Sequence, residues 1–140
     1  MAASSFDGAS LQFRGDTLES HRGGHLRSNE VLTSPNSHFS VIMQHDGNLV
    51  LYKDIKPNPA GDGAIWSTKT YGQGEFPYTM EVQVDGNVVV YDGVRKPLWA
   101  SNTRGNGAGP YRLVMQNDGN LVLYDSLNKA TWSTDTWHHG

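Results

Sequence analysis

The sequence predicts an all-β protein built from three similar units around a shared axis. Three observations support this: a ten-residue phrase occurs three times, a tryptophan follows each copy, and glycine makes up 16 of the 140 residues. The apolar runs are short, β-branched and interrupted by glycine, which is typical of strands rather than of amphipathic helices. A chain of 140 residues has room for one domain with one core.

The repeated phrase reads MQHDGNLVLY, VQVDGNVVVY and MQNDGNLVLY, beginning at Met43, Val82 and Met115. The copies are 39 and then 33 residues apart. An insertion in the first unit, KDIKPNPAGDGA at 53–64, explains the extra six residues, and its Pro, Asn and Gly predict a surface loop. Helical ankyrin or TPR arrays also have periods near 33 residues, but they need helix-length amphipathic stretches that this chain lacks.

The tryptophans that follow the phrase lie in IWST, LWASNT and TWSTDT, at Trp66, Trp99 and Trp132. If each unit buries one face of its own small sheet, the three side chains meet near the axis. We therefore expect them to fill the centre of the molecule rather than to stack on a sugar.

Each phrase predicts a β-hairpin whose register depends on the length of its loop. A two-residue Asp-Gly turn would pair Gln44 with Leu49 and put an amide beside a core leucine. A three-residue loop with Gly47 in the left-handed conformation pairs Gln44 with Asn48 instead. We predict the three-residue loop, because only this register separates polar from apolar side chains. The expected core residues of the hairpins are Val41, Met43, Leu49, Leu51, Val82, Val88, Met115, Leu121 and Leu123.

The outer face of each hairpin then carries Gln, Asn, Val and Tyr, with an Asp in the adjacent loop. Sites one, two and three are Gln44, Asp46, Asn48, Val50 and Tyr52; Gln83, Asp85, Asn87, Val89 and Tyr91; and Gln116, Asp118, Asn120, Val122 and Tyr124. Turns and strands alone explain the Asp, Gly, Val and Tyr. They do not explain two amides beside a phenol on a face that solvent would leave unconstrained, so the pattern indicates binding.

A carboxylate, two amides, a phenol and a small apolar patch match a polyhydroxylated ligand. A calcium loop is excluded, because Val50 interrupts the oxygen ligands after Asp46 and Asn48. A glycosidase needs two carboxyls about 5–10 Å apart, whereas each unit carries one motif Asp. The histidines do not recur with the repeat, so a nucleophilic triad is not indicated. We predict neither an enzyme nor a cofactor.

Composition excludes further classes of partner. The net charge is −3 without a basic run, so no nucleic acid is expected, and no apolar stretch reaches the roughly 18 residues of a membrane span. The chain has no cysteine, and its start, MAASSFDGAS, has no features of a secretory signal. We therefore expect a cytoplasmic protein or one released by a non-classical route.

The three phrases also carry a family resemblance. Gln-x-Asp-x-Asn-x-Val-x-Tyr resembles the signature of the monocot bulb-type mannose-binding lectins, and all three copies match every specified position. GGHLRSNEVLTS at 23–34 and the tryptophan segments extend the resemblance over about residues 18–140. It implies a β-prism II fold of three four-stranded antiparallel sheets with pseudo-three-fold symmetry, and one shallow mannose site per sheet without a metal.

The resemblance also implies roles within each site. Asp and Asn bracket the axial 2-hydroxyl of mannose, Gln reaches the 3-hydroxyl, Tyr takes the 4-hydroxyl, and Val packs against the ring carbons. The expected partners are mannose and mannose-rich glycans or glycoproteins. The alternative is a structural or protein-interaction module that keeps the prism without binding sugar.

Two departures from the family accompany this assignment. Many plant members place a disulfide cysteine between the Asp and Asn of the first motif, where this chain has Gly47, so the fold must stand without that bond. We expect an N-terminal extension at 1–17 and a lectin domain at 18–140, with repeats at roughly 18–70, 71–103 and 104–140. Exchange of C-terminal strands, as in some family members, would give a homodimer.

Overall fold

The protein is described by a computed structural model, which covers residues 11–54 and 63–139. These residues form thirteen strands in three sheets, with short 3-10 turns at Ser20–Arg22 and Trp137–His139. The strands are β1 (Gln12–Phe13), β2 (Thr17–Glu19), β3 (His25–Arg27), β4 (Glu30–Thr33), β5 (Phe39–Met43), β6 (Leu49–Lys53), β7 (Ala64–Ser67), β8 (Thr79–Val82), β9 (Val88–Tyr91), β10 (Pro97–Ala100), β11 (Arg112–Met115), β12 (Leu121–Tyr124) and β13 (Ala130–Ser133).

Each repeat supplies three consecutive antiparallel strands: β5, β6 and β7, then β8, β9 and β10, then β11, β12 and β13. The fourth strand of every sheet comes from the segment 17–33, which crosses the sheets in reverse order. β2 pairs with β11 of the third sheet, β3 with β8 of the second, and β4 with β5 of the first. The predicted three-sheet prism is confirmed.

The first sheet has a fifth strand, where the sequence predicted four. The short strand β1 runs parallel to β4 and pairs Gln12 with Glu30 and Phe13 with Val31. Gln12 N donates to Asn29 O at 2.9 Å, and Arg14 N donates to Val31 O at 2.8 Å. The unpaired edge of β4 explains this addition, because an open edge offers backbone groups to any extended segment. Part of the predicted extension 1–17 thus pairs within the sheets, and residues 1–10 lie outside the described residues.

The three-residue hairpin loop is confirmed in all three units. In the first unit Met43 pairs with Leu49 and Ile42 with Val50, while Gln44 N donates to Asn48 O at 3.0 Å. The loop glycines have φ values of 95°, 92° and 93° at Gly47, Gly86 and Gly119. The apolar residues assigned to the core face are all buried.

The three tryptophans meet at the centre, as predicted. The ring centroids of Trp66 and Trp99, Trp66 and Trp132, and Trp99 and Trp132 are 5.7, 5.7 and 5.5 Å apart, in edge-to-face arrangements. Such a geometry places the positive edge of one ring against the negative face of the next. The triad joins the inner faces of the sheets into one core.

Each hairpin loop also packs against the neighbouring sheet. A Cβ added to the loop glycine would come within 3.0 Å of an aromatic ring that precedes or begins the adjoining sheet. The contacts form a closed cycle: Gly47 with Tyr78, Gly86 with Tyr111, and Gly119 with Phe39. Glycine is therefore required both for the backbone conformation and for the close approach.

Three further predictions concern the rest of the chain. Most of the insertion at 53–64 lies outside the described residues, which resume at residue 63. β13 pairs with β12 of the same chain, and Trp137 beyond it is 61% exposed. A homodimer through the C-terminal strand stays a prediction, which sedimentation would check. Within the described ranges, the structure contains no helix with the length and apolar character to cross a membrane.

Candidate functional site

The asparagine of each site is oriented by the residues that follow the central tryptophan. At site two, Asn87 Oδ1 accepts from Ser101 Oγ at 3.1 Å and from Thr103 N at 3.3 Å. The fold thereby uses the carbonyl end of the amide, and the Nδ2 end is left to donate to a ligand. Sites one and three repeat the contacts, through Asn48 with Thr68 and Thr70, and Asn120 with Thr134 and Thr136.

A second hydroxyl holds the loop itself. Thr103 Oγ1 donates to Gly86 O at 2.7 Å and lies 2.7 Å from Ser101 Oγ. Thr70 and Thr136 make the same contact with the carbonyls of Gly47 and Gly119. These hydroxyls were not predicted from the sequence. Their signal was the recurrence of Ser or Thr two residues, and Thr four residues, after each tryptophan.

The aspartate of each site closes the loop with one carboxylate oxygen. Asp85 Oδ1 accepts from Asn87 N at 2.9 Å, and Asp46 and Asp118 make the same bond with Asn48 and Asn120. An acceptor and a donor with fixed orientation therefore stand side by side. At site two, Asp85 Oδ2 also lies 3.9 Å from Arg104 Nε, a loose and exposed ion pair.

The glutamine and tyrosine are joined in all three sites, but in two ways. Gln83 Nε2 donates to Tyr91 OH at 2.7 Å, and Gln116 Nε2 donates to Tyr124 OH. At site one the direction is reversed, since Tyr52 OH donates to Gln44 Oε1 and Gln44 Nε2 donates to Asp46 Oδ2 at 2.9 Å. Site one thus satisfies its own amide within the site.

The valines lie at the centre of each outer face and are more buried than predicted. Val50, Val89 and Val122 are 3%, 4% and 3% exposed. Each lies on the middle strand of its hairpin sheet, between paired neighbours; Val50, for example, faces Ile42 on one side and Ser67 on the other. Only a small apolar surface therefore remains at each site.

Exposure separates site one from the other two. Gln44 and Tyr52 are 4% and 5% exposed, whereas the glutamines and tyrosines of sites two and three are half-buried. Leu11 packs on an outer cluster formed by Val31, Ile42, Val50 and Tyr52. The predicted solvent-facing position of Gln44 and Tyr52 is wrong, since both side chains are almost fully buried and Leu11 packs on the cluster that contains Tyr52.

Charged side chains act on the tyrosines. Burial, reinforced by the charge of Asp46, raises the pKa of Tyr52, so its phenol stays protonated and able to donate. In sites two and three a guanidinium stacks over the ring instead: Arg95 Cζ is 4.0 Å from the ring centroid of Tyr91, and Arg112 Cζ is 4.7 Å from that of Tyr124.

A buried aspartate directly follows the tyrosine of sites two and three and accepts hydrogen bonds from the backbone of a nearby loop. Asp125, next to Tyr124, accepts from the backbone N–H groups of Lys129, Leu127 and Ala108. These bonds, led by that from Lys129, lower the pKa of Asp125. Asp92 beside Tyr91 is held in the same way, and the hydrogen bond from Lys96 is the main cause of its lowered pKa. The equivalent residue in the first unit is Lys53.

No protein-family model matches the chain. A mannose-specific lectin of Dendrobium findlayanum is 40% identical over 72 residues, which is 49% of this chain and 38% of that protein. The mannose-specific lectin of Galanthus nivalis is 44% identical over 54 residues, and the match covers 29% of its length. The matched segment thus spans well under half of these curated relatives.

Solved structures give fuller coverage. A monomeric monocot mannose-binding lectin from Gastrodia elata is 35% identical with a TM-score of 0.72, over 86% of this chain and 97% of that one. The snowdrop (Galanthus nivalis) agglutinin, solved with methyl-α-D-mannoside, is 38% identical with a TM-score of 0.67, over 86% and 96%. Because it matches nearly the whole of both lectins, the chain belongs to the monocot bulb-type mannose-binding lectin family.

Proposed function

We propose that the chain binds terminal mannose on glycans, without a metal ion, through the three outer-face sites. The observation that carries the proposal is that every unit holds its Asn by Oδ1, which leaves Nδ2 to donate, next to an Asp that accepts from the Asn backbone N–H. An axial hydroxyl accepts one hydrogen bond and donates another, so it satisfies both groups at once. The solved relative with methyl-α-D-mannoside supports the same ligand class.

The site selects its sugar through the direction of that hydroxyl. Mannose differs from glucose at the 2-hydroxyl, which the Asp and Asn would hold. A sugar with an equatorial 2-hydroxyl leaves a fixed donor and acceptor unpaired, and such polar groups discriminate strongly. The two groups meet the hydroxyl directly, so no cation is required to bind it.

A single site of this kind is weak. Four or five hydrogen bonds of about 0.5–1.5 kcal/mol each, less the cost of ordering, leave roughly 4 kcal/mol, which corresponds to millimolar affinity. Several sites on one chain raise the effective concentration on a dense glycan, so binding to mannose-rich surfaces becomes much tighter. The repeat therefore serves avidity.

Elution from a mannan matrix tests the proposal. Mannose should release the bound protein, glucose and galactose should release little, and EDTA should release none. Equal elution by galactose would contradict the sugar assignment, and release by EDTA would contradict metal independence. A glycan array then separates a lectin from a module that binds no sugar.

One observation favours the alternative for site one alone. Its Gln44 and Tyr52 are buried and bonded to each other. Such a set stabilises the outer face of the first sheet whether or not sugar binds. Site one is thus chemically complete but covered, and we expect sites two and three to give most of the binding to free mannose.

A further inference from the structure

The three sites share their motif but differ in the residues beside it. In each sheet, the residue two positions before the site glutamine faces a residue of the fourth strand. This pair is His25 and Glu81 in the second sheet, with two polar side chains. The same positions hold Val31 and Ile42 in the first sheet, and Thr17 and Val114 in the third.

Beside site two there is a cleft of about 480 Å³. Gly23, Gly24, His25, Glu81 and Val84 line it, and it continues onto Gln83 and Asp85 of the site itself. This volume lies within the range of roughly 300–1,000 Å³ that is usual for small-molecule sites. A ligand held at site two would therefore extend into the cleft without crossing open surface.

The lining has capacity for hydrogen bonds that the fold does not use. His25 Nε2 is buried and has no hydrogen-bond partner among the described residues. Most buried polar groups in proteins are paired, so a turn of the imidazole that brings this nitrogen to a ligand hydroxyl in the cleft would be favoured. The Glu81 carboxylate accepts a hydrogen bond from Arg95 and can accept another from a ligand hydroxyl.

Val84 supplies the apolar part of the cleft. It precedes the motif aspartate, is 75% exposed, and stands where sites one and three have His45 and Asn117. A sugar ring presents C–H groups on one face and hydroxyls at its edge. Apolar and polar walls together fit a neutral sugar, whereas the carboxylates of Glu81 and Asp85 disfavour an anionic one.

We propose that this cleft is a subsite for the second residue of a mannose-containing oligosaccharide, present beside site two and missing beside site three. The inference rests on the proposed function, because the first mannose must occupy site two. It predicts that one mannobiose linkage isomer binds site two about three- to tenfold more tightly than methyl α-mannoside, as one or two added hydrogen bonds would give.

Titration of the full chain followed by amide NMR tests this directly. Methyl α-mannoside should shift the Gly86 amide in the loop of site two and leave Gly23 and Gly24 unchanged. One of the α1,2-, α1,3- and α1,6-linked mannobioses should shift all three signals. If every mannobiose matches the monosaccharide in affinity and leaves Gly23 and Gly24 unshifted, the subsite is wrong while mannose binding stands. If no sugar shifts Gly86, the proposed function fails at site two and the subsite fails with it.

A matched variant sharpens the test. His25→Thr combined with Val84→Asn gives site two the flanking residues that site three already carries in Thr17 and Asn117. The affinity for methyl α-mannoside should stay as in the parent, and the gain for the mannobiose should disappear. A retained gain would overturn the assignment of these two residues to the subsite.

Discussion

Sites one and two have the same five residue types on the same hairpin register, yet they meet solvent differently. At site one the glutamine and tyrosine are almost fully buried and bonded to each other, and Leu11 packs on the cluster that contains the tyrosine. At site two they are half-buried beside an open cleft. The motif therefore determines the chemistry of a site, and the segments outside the repeat determine access to it.

Removal of the donor should give the largest difference between the two sites. Asn87→Ala deletes the Nδ2 group and frees Ser101 and Thr103 from their acceptor, so we expect at least about a tenfold loss of affinity at site two. Asn48→Ala should cause a smaller loss of binding to methyl α-mannoside, because site one is covered. Calorimetry with methyl α-mannoside would report both. Equal losses from the two variants would show that burial does not limit site one.

Loop strain should be the same at both sites, since the glycines occupy equivalent positions. Gly86→Val forces a β-branched residue to a φ near 92°, at a cost on the order of 1–2 kcal/mol, and its Cβ would meet Tyr111 at 2.8 Å. Gly47→Val should destabilise the fold by a similar amount through Tyr78. Gly105→Val is the control, because its φ is 80° but no described atom lies within 4 Å of the added Cβ. If chemical denaturation showed the same loss of stability for the control as for the other two variants, the contact between the hairpin loop and the neighbouring sheet would be disproved.

Low pH should weaken the hydrogen bonds to Asp92, which follows Tyr91 of site two, and site one has no such aspartate to lose. The folded pKa of Asp92 is lowered, so its stabilisation is present above the unfolded value of about 3.9 and is lost as pH falls through the folded pKa. Site one has Lys53 at this position and lacks this dependence. Asp92→Ala should lower the thermal midpoint by several degrees at neutral pH, and the difference from the parent should shrink as the pH falls through the folded pKa.

The exposed Asp54, which pairs with His38 at 3.0 Å, provides the control for that experiment. Asp54→Ala should leave the midpoint nearly unchanged, because exposed contacts between polar or charged side chains contribute little. A drop as large as that of Asp92→Ala would mean that loss of charge, rather than loss of the backbone contacts, causes the effect.

The smallest expected effect is the opening of site one. Leu11→Asp places a charge against the outer cluster and should make the Gly47 amide respond more strongly to methyl α-mannoside. Phe13→Asp, in the adjacent strand β1, is the control, since Phe13 is already 62% exposed. An unchanged response at Gly47 after Leu11→Asp would show that Leu11 does not limit access.

The sequence was sufficient for the local parts of this fold. Period-two alternation and the Asp-Gly-Asn loop predicted the hairpins, and the repeated tryptophans predicted the centre. The residues Thr70, Thr103 and Thr136 recur in the sequence, but nothing in their neighbouring residues indicates that their hydroxyls hold the loops. Two features depend on contacts between segments that are distant in sequence: the order in which 17–33 crosses the sheets, and the burial of site one. Such contacts leave no periodic pattern in a single sequence.

The route of 17–33 has a consequence for synthesis of the chain. Ser20 and Tyr111 exchange hydrogen bonds across a separation of 91 residues, and β2 completes a sheet whose other strands all come from the third repeat. The backbone of β2 therefore stays unpaired until β11 has been made, whereas β4 and β3 find their partners in the first and second repeats. Contacts this distant slow folding, and they make the transition cooperative over the whole prism. An excised second or third repeat would lack its fourth strand, and any excised repeat would lack the two tryptophans that pack against its own, so we expect the three units to fold together.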